Sequence, residues 1–199
     1  MSRRLTPIAA AFAAVVVCAF VASQGAMGAR SCAAFDGRVL VLSETGRIIS
    51  VRRPGFSIWY ACLERHGRRV ALGDHIPAGA EQLSRPLLAG SFAAFKRYRP
   101  STGTTGPIAV VVDLGARRRA SMHVDDGITG MVLSDRGDLV VTSPASVLHL
   151  RRGRPVATLD VGDITPSSLA LSRNGRDAYW LNRGQPRSFV LPAGRARAP

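Results

Sequence analysis

Two stretches decide the fold: Met131-Val132-Leu133-Ser134-Asp135-Arg136-Gly137-Asp138-Leu139-Val140-Val141 and Leu169-Ala170-Leu171-Ser172-Arg173-Asn174-Gly175-Arg176-Asp177-Ala178-Tyr179-Trp180. Each is a short β-rich run, a Ser-x-x-Gly turn and a second run, the pattern of a hairpin with a turn that needs glycine. Their serines are 38 residues apart. A third version starts at Leu87-Leu88-Ala89-Gly90-Ser91-Phe92, and a weaker fourth is Leu42-Ser43-Glu44-Thr45-Gly46.

Working outward, the chain from Arg38 alternates between short β-rich runs and Gly turns: Val39 to Leu42 into Arg47 to Val51, Phe56 to Leu63 into Arg68 to Leu72. The same holds for Pro107 to Asp113 into Arg117 to Val124, Ile128 to Leu133 into Asp138 to Thr142, and Val147 to Leu150 into Pro155 to Leu159. Beyond the N-terminal segment, no stretch carries an apolar stripe of helical period. The fold class is therefore all-β. Fifteen short strands are too many for one immunoglobulin-like sandwich. Repeats near forty residues, each holding about four short strands, are the mark of propeller blades.

These turns resemble those of secreted bacterial β-propeller proteins of the TolB-like and related blade families. The present turns keep the Ser and Gly of that blade type but lack its Pro. The resemblance covers residues 86–191 best and 36–75 less well. It implies blades around an axis with loops on one face free for binding, and it implies no activity. The span Asp36 to Leu191 holds four blades at most, and its last unit, Ile164 to Leu191, reads as only three strands. The expectation is a four-bladed or partial propeller of about forty residues per repeat, over residues 30–191. A strand from the N-terminal region would complete the last unit in a closed ring; dimerisation or stacking is the rival way to close it.

Residues 1–29 read as an address and not as fold. Arg3 and Arg4 precede an unbroken apolar run from Ile8 to Ala22, followed by the small residues Ala26, Gly28 and Ala29. That is the layout of a Sec-type secretory signal. As a helix the run would rise roughly 22 Å against a hydrocarbon core of about 30 Å, so cleavage is favoured over a retained anchor. Cys18 leaves with it, and Cys32 and Cys62 remain as an even pair, which in an oxidising compartment predicts a disulfide. The last eight residues, Pro192 to Pro199, read as a disordered tail.

The full chain of 199 residues has 27 basic side chains against 13 acidic ones, a formal +14, and all but Lys96 are arginine. The signal takes two of them, Arg3 and Arg4, leaving +12. Such a charge first raises nucleic acid. An arginine-only excess beside abundant Ala, Gly and Val reads instead as compositional bias, and the basic runs are not interleaved with aromatics as stacking platforms are. Nucleic acid is not favoured. The runs are Arg65 to Arg69, Arg117-Arg118-Arg119 and Arg151-Arg152-Gly153-Arg154. A solvated turn explains each one alone. If blades bring them onto one rim, Arg117, Arg118, Arg119, Arg151, Arg152 and Arg154 form a candidate anion-binding surface.

No catalytic signature is present: no G-x-S-x-G elbow, no H-E-x-x-H, no phosphate-binding G-x-x-x-x-G-K-[ST]. The histidines His66, His75, His123 and His149 stand singly. His123 with Asp125 and Asp126 is the one candidate acid–base or metal group, set against the plainer reading of a polar loop between blades. Asp125, Asp126, Asp135 and Asp138 supply too few oxygens at the right spacing for a calcium loop. Arg136-Gly137-Asp138 spells an adhesion tripeptide, but Gly137 belongs to the hairpin turn. Trp59-Tyr60 and Tyr179-Trp180 should each place one ring in a core and the other at a blade interface. The functional expectation is an exported, non-catalytic binding or scaffolding module that needs no cofactor or metal. Its partner would be a protein or an anionic polymer of the cell envelope. The alternative is a propeller-type hydrolase or lactonase using the His123 group.

Overall fold

The computed structural model describes residues 32–77, 81–100 and 106–193. The expected signal, 1–29, lies outside these residues, as does the tail from 194 onward. The described chain is all-β, with a single short 3-10 turn at Cys32–Ala34 and no helix able to cross a membrane among the described residues.

Fifteen strands build four antiparallel sheets. The first holds β1 (Arg38–Ser43), β2 (Gly46–Arg53), β3 (Phe56–Leu63) and β4 (Arg68–His75). The second holds β5 (Gln82–Ala89), β6 (Phe92–Tyr98), β7 (Ile108–Asp113) and β8 (Arg118–His123). The third holds β9 (Gly130–Leu133), β10 (Leu139–Thr142), β11 (Ser146–Leu150) and β12 (Ala157–Val161). The fourth has only β13 (Ala170–Leu171), β14 (Asp177–Asn182) and β15 (Gln185–Val190). Each sheet is a simple meander in sequence order. The leading strands β1, β5, β9 and β13 contact one another in succession, and no comparable contact joins the fourth sheet to the first. The array is β-propeller-like.

The repeated serine turn has a physical reason. Ser134 Oγ accepts from the backbone N–H of Arg136 and Asp138 at 3.3 and 3.1 Å, and Ser172 Oγ accepts from Arg176 and Asp177 at 3.1 and 2.9 Å. Gly137 and Gly175 then take φ of +82° and +65°, which other residues avoid. Thus the hydroxyl satisfies donors that the tight turn leaves unpaired, and glycine lets the chain reverse.

Cores lie between the sheets. Ile48, Trp59, Leu72, Leu83, Phe95 and Val112 fill the first gap. Ala94, Val111, Met122, Leu133, Leu139 and Val141 fill the second. Val140, Val147, Ile164, Ala178, Trp180 and Leu191 fill the third. Alternation along a strand lets the middle sheets serve two gaps at once.

The outer faces of the end sheets are finished differently. On the first sheet the Cys32–Cys62 disulfide, with Cα atoms 5.8 Å apart, anchors the N-terminal turn. Cys32 N donates to Glu64 Oε2 at 3.2 Å, and the Arg69 guanidinium lies over the rings of Phe35 and Tyr60 at 4.6 and 5.0 Å. The fourth sheet carries no such cap, and Tyr179 and Val190 stand 45% and 70% exposed. The expectation for paired aromatics therefore holds for Trp59 and Trp180, which fill cores between sheets, but not for their neighbours: Tyr60 lies on the outer face of the first sheet under Arg69, and Tyr179 is exposed.

Candidate functional site: an arginine-lined groove

A meander places the turns between its first and second strands and between its third and fourth strands at the same end. In this array those turns make the upper end, and three arginine runs fall on the third-to-fourth turns of the first, second and third sheets. A cavity of about 730 Å³ opens there. Arg136, Arg151, Arg152 and Arg154 line it together with His66, Ser91, Phe92, Asp113 and Gly137. A second, of about 380 Å³, continues past Leu63, His66 and Gly115 to Arg65, Arg68 and Arg117. Leu63, His66 and Gly115 line both, so the two form one groove across the turns of three sheets.

Arginine dominates these two cavities: Asp113 is the one carboxylate among their lining residues, and it is ion-paired to Arg152, which links the second sheet to the third. An adjoining cavity of about 490 Å³ shares Leu63 and His66 with both and adds Glu44 and Glu64, the latter paired to Arg47. Its Oδ1 also accepts from Ala116 N at 2.8 Å, closing the β7–β8 turn that presents Arg117. Arg151 Nε sits 3.7 Å from Asp138 Oδ1. Arg65, Arg68, Arg117 and Arg154 have no carboxylate within ion-pair distance among the described residues.

Of the six arginines expected to converge, Arg117, Arg151, Arg152 and Arg154 line the groove. Arg118 and Arg119 do not. They lie on β8 itself, pointing to opposite faces, and the Arg119 guanidinium donates to the Ala71 carbonyl of the first sheet. Sequence reasoning missed Arg136, because it stands alone in its turn and only the packing of sheets brings it beside the third-sheet run.

The histidines have separate duties. His75 Nδ1 accepts from Leu83 N at 3.1 Å and its ring stacks on Trp59. His149, buried between the third and fourth sheets, shares a 2.9 Å hydrogen bond between Nε2 and Asp138 Oδ1 and packs on Phe189. That partnership was also missed, since the two residues meet only through the β10–β11 pairing, where Val140 stands opposite His149. Asp138 is fully buried, so the Arg136-Gly137-Asp138 tripeptide is not presented to a receptor. His123 Nδ1 pairs with Asp125 Oδ1 at 2.9 Å, exposed at the lower end and away from the groove. No group of three or more His, Cys, Asp or Glu side chains suited to a metal occurs among the described residues.

No family model matches the chain, and no curated protein does. Solved structures with a similar arrangement include the hydrazine synthase of Kuenenia stuttgartiensis, 15% identical over 73% of this chain and 55% of that one, with a TM-score of 0.44. TolB from Acinetobacter baumannii is 17% identical over 73% and 37%, with a TM-score of 0.41. Hsv2 of Kluyvelomyces marxianus is 13% identical over 74% and 55%, with a TM-score of 0.33. The chain spans about half or less of the length of each.

Proposed function

We propose that the protein is an exported, non-catalytic binding module whose upper groove takes a linear anionic polymer of the cell envelope. The observation that carries this reading is the groove itself: arginines from the turns of three successive sheets line one channel, and its carboxylate Asp113 is already paired to Arg152, with Glu44 and Glu64 on the adjoining cavity. Packed sheets stand roughly 10 Å apart, so turns from three of them distribute charge over roughly 20 Å. That suits a chain bearing repeated negative groups better than one small anion. The concave shape disfavours a flat lipid surface, and Phe92 as the only aromatic lining the groove disfavours stacked bases.

Export is supported by the Cys32–Cys62 disulfide, since such bridges persist in oxidising compartments. The hydrolase reading has less behind it. His123 and Asp125 do pair, but they lie at the opposite end from the groove, and no group of three or more metal-suited side chains forms there among the described residues.

A sulfated polysaccharide column tests the reading. The wild-type protein is expected to elute above physiological salt, and the double variant R117A/R154A at distinctly lower salt. Elution of the wild type below about 0.15 M salt, where surface charges are already screened beyond about 8 Å, overturns it.

A further inference from the structure

The lower end of the first sheet carries a second cationic concavity. Arg38 at the start of β1 and Arg52 and Arg53 at the end of β2 line a cavity of about 640 Å³, with Phe56, Ser57 and Pro77. No Asp or Glu lines it. All three arginines are exposed and have no carboxylate within ion-pair distance among the described residues. Of the carboxylates nearby, Glu81, in the connection to the second sheet, pairs with Arg97 and Arg99 at 2.7 and 2.6 Å, while Asp36, beside Gly37, and Asp74, opposite Ile58, are exposed outside the cavity lining. Arg52 and Arg53 are the last residues of β2 before the turn through Pro54 and Gly55, in register with Ser57 and Phe56.

We infer that this concavity is a second site for the same class of ligand, and that the protein is bivalent and bridges two segments of anionic polymer. The inference rests on the polyanion reading of the upper groove. Strand β2 runs from the upper end to the lower, and its eight residues at about 3.3 Å each separate the two ends by roughly 25 Å. That is about three Debye lengths at physiological salt, so filling one site leaves the charge at the other effectively unaltered. Two independent sites at opposite ends of one rigid sheet cannot both engage a short straight oligomer. A long polymer, or two polymers, can occupy both, and the gain is avidity and cross-linking.

Titration with a sulfated tetrasaccharide, read by calorimetry, tests this directly. The wild type is expected to bind two molecules, and both R52A/R53A and R117A/R154A one each. Mixed with long sulfated polysaccharide, the wild type should form large light-scattering assemblies, and either double variant only soluble complexes. Circular dichroism and melting temperature verify that each variant is folded. Binding of one tetrasaccharide by the wild type, unchanged in R52A/R53A, overturns bivalency and leaves the upper groove standing. Absence of any binding by the folded wild type removes both readings together.

Discussion

Trp180 Nε1 donates to Asp160 Oδ2 at 2.7 Å, and this bond fastens the fourth sheet to the third. Asn182 reinforces it by donating from Nδ2 to the Val161 carbonyl at 3.1 Å. Burial pushes the Asp160 carboxyl upward, but hydrogen bonds from Trp180, Asn182 and the Val161 amide, with the charge of Arg187, outweigh it and hold the group below its ordinary 3.8. A carboxylate lowered on folding contributes stability above its unfolded pKa, and that contribution fades as pH falls through the folded value. Trp180→Phe is expected to cost about 1 kcal/mol at neutral pH, since solvent at Asp160 discounts a charged hydrogen bond. The cost should shrink below about pH 4. Urea unfolding at pH 7 and pH 3 checks both; an equal loss at the two values would detach the bond from the carboxylate's charge.

The disulfide anchors the cap on the first sheet. Closing a sequence separation of 30 residues is worth about 3–4 kcal/mol on the chain-entropy account. Cys32→Ala/Cys62→Ala should lower the melting temperature by many degrees, and in unreduced protein neither Cys32 nor Cys62 should react with an alkylating agent. One reactive thiol per described cysteine would contradict the bridge.

Asp138 is wholly buried with His149 against one oxygen and Ser134 beside it. Asp138→Ala strands the imidazole between two sheets without its partner, at a cost of about 3 kcal/mol. Asp138→Asn keeps an acceptor in place and should lose less. Equal losses in denaturant melts would mean that the negative charge, which both variants remove, matters there, and not the retained acceptor or the side-chain volume.

Gly137 bears on both the turn and the groove. A Cβ there would stand 2.5 Å from Phe92 Cε1, on a backbone with φ of +82°. Gly137→Ala is expected to cost about 2–4 kcal/mol from backbone strain and overpacking together. A stability within 0.5 kcal/mol of wild type, taken as the usual range for inert surface changes, would show that the ring moves aside freely.

Asp113 holds Arg152 and is the negative group lining the arginine-rich part of the groove. Asp113→Asn keeps an oxygen for the Ala116 amide, frees the guanidinium and removes the charge. Affinity for a sulfated oligosaccharide should rise about two- to five-fold, the worth of one half-buried charge pair whose guanidinium reaches solvent. A fall in affinity would identify the ion pair as a support of the groove instead of a competitor for it.

The sequence by itself determined the strands, the serine turns, the repeat and the pairing of Cys32 with Cys62. These depend on local alternation, on glycine's freedom at Gly137 and Gly175, and on there being two cysteines after the expected signal. It also marked the last unit as three strands, and the fourth sheet has three. Tertiary structure decided the rest. Arg136 joins the run at Arg151 to Arg154, while Arg118 and Arg119 leave it, because groove membership depends on how sheets stack and which way a strand residue faces. Asp138 meets His149 through strand register, and Tyr179 is exposed because no described residue covers that face of the fourth sheet. Contacts within a hairpin are written in spacing of a few residues. Contacts between sheets join residues that spacing along the chain does not relate.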